Sequence, residues 1–279
     1  MKKSWHVITA IITSWGVRLL AKVIAIANQK GGVGKTTTAV NLSSCLAYKG
    51  KRVLLIDIDP QGNTTSGLGI DKKNITKSIY NVLINSENIA DVLIDTPLEN
   101  LKLCPSNIHL AGAEIELVPV ISRETRIKEA LEHIKDSFDY ILMDCPPSLG
   151  LLTINSLTAS DTILVPIQCE FYALEGLSQL MNTVKLVQKH LNSGLDVEGV
   201  VLTMFDARTN LSIQVVEEVK KYFKNKVYRT VIPRNVRLSE APGYGLPIIL
   251  YDPKSKGSEC YLELAQEMID YTEEVKKIW

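Results

Sequence analysis

With 279 residues, 46% of them hydrophobic, the chain can bury the core of one large α/β domain or two small ones. Lys and Arg together number 31, as do Asp and Glu, and this zero net charge excludes a globally polyanion-binding protein, so any nucleic-acid contact must come from a local patch. Five scattered cysteines with no C-x-x-C spacing argue against a zinc site or a disulfide framework and point to reduced thiols in a cytosolic protein.

Residues 1–21 place Lys2 and Lys3 ahead of an apolar stretch broken by Ser14, Gly16 and Arg18. The stretch superficially resembles a signal peptide. It falls short of the roughly 20 apolar residues a membrane span needs, and it carries Arg18. The expectation is an extension outside the fold, with residues 22–279 forming one domain.

Residues 23–27 then read as a strand and residues 38–48 as a helix. Between them lies Asn28-Gln29-Lys30-Gly31-Gly32-Val33-Gly34-Lys35-Thr36-Thr37. Strand, Gly-rich loop and helix, in that order, are the context of a phosphate-cradling loop. Glycines let a phosphate approach the amides, and the helix N-terminus adds partial positive charge. In that reading Gly31, Gly32, Val33, Gly34, Lys35, Thr36 and Thr37 wrap the phosphates. Lys35 reaches the β/γ-phosphates, and the Thr36 hydroxyl binds Mg²⁺. One departure from G-x-x-x-x-G-K-[ST] stands out: the first Gly would fall at Gln29, and an extra lysine, Lys30, stands beside Gly31.

Gly50 ends the helix, and residues 52–57 form a buried parallel strand. It delivers Asp57 and Asp59 to its carboxyl end, where ligands of open α/β sheets sit. A short strand follows at residues 101–103, and a helix at residues 126–135. Residues 139–144 make an apolar strand ending in Asp144, the form of a Walker B strand, whose carboxylate holds Mg²⁺ through water. Residues 162–167 and 197–204 supply further strands, with a helix through His190 between them. From Phe205 to Glu240 eight Lys/Arg face only four acids, a +4 segment in a neutral chain. Lys220, Lys221 and Lys224 fall on about one helical face, where phosphate binding would be sequence-independent and salt-sensitive. A plain solvated face is the alternative. The last helix, residues 259–277, is acidic, unlike a basic membrane-docking helix. Strand–helix alternation predicts an α/β fold, a doubly wound, mostly parallel sheet with helices on both faces.

The lysine-bearing loop resembles the deviant Walker A motif of the superfamily that contains ParA/Soj, MinD and the nitrogenase iron protein. The resemblance runs from Lys22 to the C-terminal helix. It includes Leu110-Ala111-Gly112-Ala113-Glu114, Cys145-Pro146-Pro147-Ser148 and Pro233-Arg234-Asn235-Val236-Arg237-Leu238-Ser239-Glu240-Ala241-Pro242, and is nearest to the ParA/Soj group. It implies a P-loop ATPase using ATP and Mg²⁺, in which two copies sandwich two nucleotides and Lys30 reaches the partner's nucleotide. Asp59 would help position the attacking water, with Lys30 and Lys35 neutralising charge. Asp57 would lie near the Mg²⁺ shell with Thr36 and Asp144, and Pro233 would face the purine base. Residues 170–176 would lie at the dimer interface. Residues matching Arg208 and Arg237 contribute to nonspecific DNA binding, to which Lys220 and Lys221 would add. Gly243 and Leu246 depart from the family's usual Ser and Lys, which weakens that edge. A ParB-like partner would stimulate slow hydrolysis by a cytoplasmic, nucleoid-associated protein that segregates a chromosome or plasmid. The rival reading is a MinD-like positioning ATPase anchored through residues 1–21. An iron–sulfur cluster is disfavoured, since the cysteines lack matched ligand positions.

Overall fold

Continuous apolar runs become inner strands because a parallel strand is covered on both faces. The computed structural model describes residues 10–13, 16–19, 21–170 and 175–277. Its strands are β1 (Ala10–Thr13), β2 (Gly16–Leu19), β3 (Lys22–Ile26), β4 (Val53–Asp57), β5 (Ile94–Asp95), β6 (Leu101–Cys104), β7 (Tyr140–Asp144), β8 (Thr162–Gln168), β9 (Asp196–Phe205) and β10 (Val227–Pro233). The helices are α1 (Lys35–Tyr48), α2 (Asn63–Gly67), α3 (Ile79–Asn85), α4 (Leu110–Glu116), α5 (Arg126–Glu132), α6 (Leu151–Ala159), α7 (Glu175–His190), α8 (Asn210–Phe223), α9 (Val236–Glu240), α10 (Ile248–Tyr251) and α11 (Lys256–Lys277).

Eight strands form one sheet in the order β10-β9-β8-β3-β7-β4-β6-β5, parallel except for the β5–β6 pair. β1 and β2 pair with each other in a separate antiparallel ribbon. Side chains alternate across the sheet, so each strand feeds two cores. Val23, Ala25, Leu54, Ile56, Ile141 and Met143 enter one, with residues of α3, α5, α6, α7 and α8. Ile24, Ile26, Val53, Leu55, Tyr140 and Leu142 enter the other, with α1 and α11. The doubly wound α/β architecture expected from the alternation is the one observed.

α1 is clamped between the sheet and α11. Leu42 and Leu46 are fully buried, each stabilising the fold by about 1.5–3 kcal/mol. The fully buried Tyr261 of α11 sets its hydroxyl 3.2 Å from Thr38 Oγ1. Asn41 of α1 accepts the Ile248 N–H at 2.7 Å and donates to the Thr37 carbonyl at 2.8 Å.

A backbone joint secures the loop after β4. Gly69 (φ +80) and Gly245 (φ +65) lie back to back, and a Cβ built on Gly245 would stand 2.5 Å from the Gly69 Cα. Any side chain there meets backbone as well as an unfavourable φ. Gly245→Ala is therefore expected to destabilise the protein by about 2 kcal/mol or more. A thermal midpoint lower by roughly 5 °C would register it; an unchanged midpoint would show that the joint yields.

Two helices end earlier than expected. α5 stops at Glu132, and a 3-10 turn over Lys135–Ser137 follows. α8 stops at Phe223, whose buried ring anchors its end, and Lys224 takes a positive φ of 52°. Lys224 thus leaves the helical face it shares in sequence with Lys220.

Candidate functional site

β3, β7 and β4 are neighbours in register, pairing Ile26 with Asp144 and Asp144 with Asp57. Both buried acids therefore emerge side by side at the carboxyl ends of the strands, beneath the loop that leaves β3.

That loop is held from both sides. Asn28, 3% exposed, donates from Nδ2 to the carbonyl of Pro166 in β8 at 2.8 Å, and its Oδ1 accepts the Lys30 N–H at 3.0 Å. Thr203 of β9, buried, donates to the Val33 carbonyl at 2.8 Å. Gly32 and Gly34 take φ of +73° and +85°, which turn the chain into α1. A Cβ on Gly31 or Gly32 would meet nothing within 4 Å, so this side of the loop is open. The first turn of α1 carries neither an acidic residue nor a side-chain cap. Its unpaired N–H groups and dipole are thus available to an anion.

Lys35, 7% exposed, lays its ammonium against the Lys30 carbonyl at 3.0 Å. Burial pulls its pKa down, while Asp144, Cys145 and Asp59 push it up. The Lys30 side chain is half-buried and has no ion-pair partner among the described residues.

Asp144 Oδ2 accepts two hydroxyls, Thr36 Oγ1 at 2.8 Å and Thr64 Oγ1 at 2.7 Å. Its Oδ1 is buried with no partner among the described residues. A buried carboxylate oxygen left open beside a threonine hydroxyl fits a hydrated divalent cation of the Mg²⁺ type, which keeps its waters and seldom takes more than one or two protein ligands. Asp57 is different. Its Oδ2 accepts the N–H and hydroxyl of Thr65 at 2.8 and 2.6 Å, and its Oδ1 accepts the Asp59 N–H at 3.2 Å. Asp59 is half-buried, and its Oδ1 accepts the Gln61 N–H at 2.9 Å.

Burial, then the charge of Asp144, pushes Asp57 up to about 7. Burial pushes Asp144 up to about 6, against hydrogen bonds from Thr64 and Thr36. Both carboxyls hold a proton more tightly folded than unfolded, where the ordinary value is 3.8. Their contribution to stability is thus fully present below that value and is lost as pH rises through 6 to 7. Asp57→Asn removes the titration, so the thermal midpoint of the ligand-free variant should fall less between pH 5 and 8 than that of the wild type. Parallel curves would discard this assignment.

The basic residues divide between two ends of the sheet. Arg208 follows β9, and Arg234 and Arg237 follow β10, at the carboxyl edge that carries the phosphate-type loop. Pro233 closes β10 at that edge, paired with Phe205. α8, 14 residues long, runs back about 20 Å to the other end. Lys220 and Lys221 sit in its last turn, near Lys226, which pairs with Asp196 at the start of β9. The +4 segment is therefore not one patch. Arg208 pairs with Asp206 at 2.7 Å, Arg237 with Glu240 at 2.9 Å and Lys221 with Glu218 at 2.6 Å. Such solvent-exposed pairs are weak and can exchange an acid for a phosphate. Glu170 pairs with Arg234 at 3.2 Å, while residues 171–174 of the expected interface segment lie outside the described residues.

Asn28, Thr64, Thr65 and Thr203 were not singled out as site residues in the sequence. Thr64 and Thr65 directly follow the acidic loop, and that adjacency was the available signal. A lone Thr in the apolar strand β9 carries none.

A family model described as an AAA domain matches residues 21–197. The sporulation initiation inhibitor protein Soj of Bacillus subtilis is 68% identical over 249 residues, covering 89% of this chain and 98% of Soj. The chromosome partitioning protein ParA of Myxococcus xanthus is 55% identical over 254 residues, 91% of this chain and 90% of its own. A solved structure of cobyrinic acid a,c-diamide synthase from Mycobacterium smegmatis, with bound ADP and magnesium, superposes with a TM-score of 0.81 at 38% identity, covering 91% of this chain and 96% of its own. No helix among the described residues is long and apolar enough to cross a membrane. With the Lys30-bearing loop, the paired strand-end acids and this identity along nearly the whole of Soj, the chain belongs to the Soj/ParA family of partitioning P-loop ATPases.

Proposed function

We propose that this chain is an ATP-driven switch that grips DNA nonspecifically in its ATP state and moves a chromosome or plasmid with a ParB-like partner. One observation carries the nucleotide half: Asp144 keeps a buried, unpartnered oxygen beside Thr36 and under an open loop of amides. Residues 31–37 would bind the phosphates of ATP, with Pro233 beside the base. Thr36 and Asp144 would hold Mg²⁺, Asp144 through water, with Asp57 behind them. When bound, Mg²⁺ neutralises phosphate charge. Lys35 supplies a desolvated positive charge from within the chain. Lys30, half-buried and without an ion-pair partner, reaches a second copy's nucleotide, so that ATP closes a homodimer. Asp59 orients the attacking water. Residues 22–279 form the working domain, to which Ala21 also belongs, buried in its core with its N–H on the Lys135 carbonyl at 2.9 Å. The protein works in the cytoplasm on the nucleoid.

The DNA half rests on Arg208 and Arg237, which share the carboxyl edge with the nucleotide loop, and less on Lys220 and Lys221 at the far end. Binding to random-sequence duplex DNA should require ATP, fall with salt, and weaken about tenfold in Arg237→Ala at moderate ionic strength. Lys220→Ala should weaken it less. DNA binding absent in every nucleotide state, with ATP binding intact, would sink this half and favour a MinD-like positioning role.

A further inference from the structure

The two neighbouring acids are treated differently by the fold. Asp144 keeps one oxygen free of donors from the described residues. Asp57 does not: Thr65 supplies two donors to Oδ2, and the Asp59 N–H occupies Oδ1. Thr65 is fully buried on α2, the short helix that opens after Gly62 turns the chain at φ +62°. Its Oγ1 also accepts the Ser106 N–H at 3.0 Å, and the Ser106 hydroxyl donates to the Asp59 carbonyl at 2.8 Å. Both peptide groups flanking the Asp59 side chain are thus tied to a rigid strand end through one threonine. The Asp59 N–H is held by Asp57, which Thr65 orients, and the Asp59 C=O is held by Ser106, whose own amide Thr65 anchors. With both oxygens already engaged by the chain, Asp57 is less free than Asp144 to serve a cation.

We infer that Thr65 is a positioning residue: acting through Asp57, it sets the backbone of Asp59 and hence the direction of the Asp59 carboxylate. The inference rests on the reading of Asp59 as the residue that orients water. It assigns Asp57 to the loop's framework and leaves Asp144 and Thr36 as the Mg²⁺ residues. A hydroxyl carries the effect, so threonine and serine are interchangeable and valine is not. Valine keeps the shape and the N–H but removes the 2.6 Å bond and the acceptor for Ser106.

The test compares the full-length wild type, Thr65→Val, Thr65→Ser, Asp57→Asn and Asp59→Asn. Single-turnover ATP hydrolysis, affinity for a fluorescent ATP analogue, and amide exchange across residues 57–66 of the ligand-free protein are read for each. Thr65→Val is expected to slow turnover about tenfold, with affinity within about twofold of wild type and faster exchange at Asp59 and Gly62. Thr65→Ser should restore all three. If Thr65→Val does not fold, Asp57→Asn breaks the same relay, because its one carbonyl oxygen cannot serve both Thr65 and the Asp59 N–H, and it should give the same split. Wild-type turnover in the folded variant, equal losses of turnover and affinity, or failure of Thr65→Ser to rescue would each overturn the proposal. Full turnover in Asp59→Asn would remove the reading of Asp59, and this inference with it. Lost turnover in Asp59→Asn beside wild-type Thr65→Val would remove Thr65 alone.

Discussion

Lys35→Gln should lower ATP turnover by roughly 10²–10³-fold and weaken nucleotide binding, without lowering the melting temperature of the ligand-free protein. The ammonium is almost wholly buried and donates to the Lys30 carbonyl at 3.0 Å. Desolvation is the largest influence on it and already disfavours the charged form. A charge kept in such a place is costly to the empty fold and most effective when phosphate charge develops nearby. Loss of one preorganised donor of this kind accounts for the expected factor. Glutamine is one bond shorter but carries no charge to desolvate, so the fold should hold. The pair of measurements is turnover and a thermal melt of the same preparation. Wild-type affinity together with wild-type turnover would place the phosphates elsewhere.

Asp59→Asn should act on hydrolysis alone. The Asp59 Oδ1 accepts the Gln61 N–H at 2.9 Å, and an asparagine oxygen can accept it equally well. The loop geometry is therefore expected to survive while the negative charge is lost. On the reading that this charge orients the attacking water, turnover should fall by roughly 10²–10⁴-fold, with ATP affinity within a few-fold of wild type. On the switch reading, the variant should accumulate as an ATP-bound dimer that stays on DNA. Size-exclusion chromatography after incubation with ATP tests this directly, and a monomer with bound, uncleaved ATP would separate the chemistry from the dimer.

Much of the architecture was legible because apolar runs and glycine spacing are local signals. The buried strands at residues 52–57 and 139–144 declare themselves by composition, and each ends in an acid where the sheet ends. The loop from Asn28 to Thr37 is readable from glycine spacing and its flanking strand and helix. The second lysine, by resemblance, points to the ParA/Soj group. Helix ends were less legible. Lys224 reads as helical by spacing, yet the chain leaves the helix at Phe223, where burial of the ring sets the end.

What the sequence by itself determined was the order of parts: phosphate loop, two strand-end acids, a basic stretch and an acidic last helix. Backbone periodicity and residue type suffice for these, because each depends on neighbours within a few positions. Tertiary structure decided which parts meet. Strand register places Asp57 beside Asp144. The packing of α2 then fills one carboxylate with Thr65 and leaves the other an open oxygen. The crossover between β9 and β10 splits the basic stretch, sending Arg208 and Arg237 to the nucleotide edge and Lys220 and Lys221 about 20 Å away. Hydrogen bonds between residues distant in sequence, such as Thr203 to Val33, brace the loop. No local pattern encodes such a bond, because its partners become neighbours only once the sheet has closed.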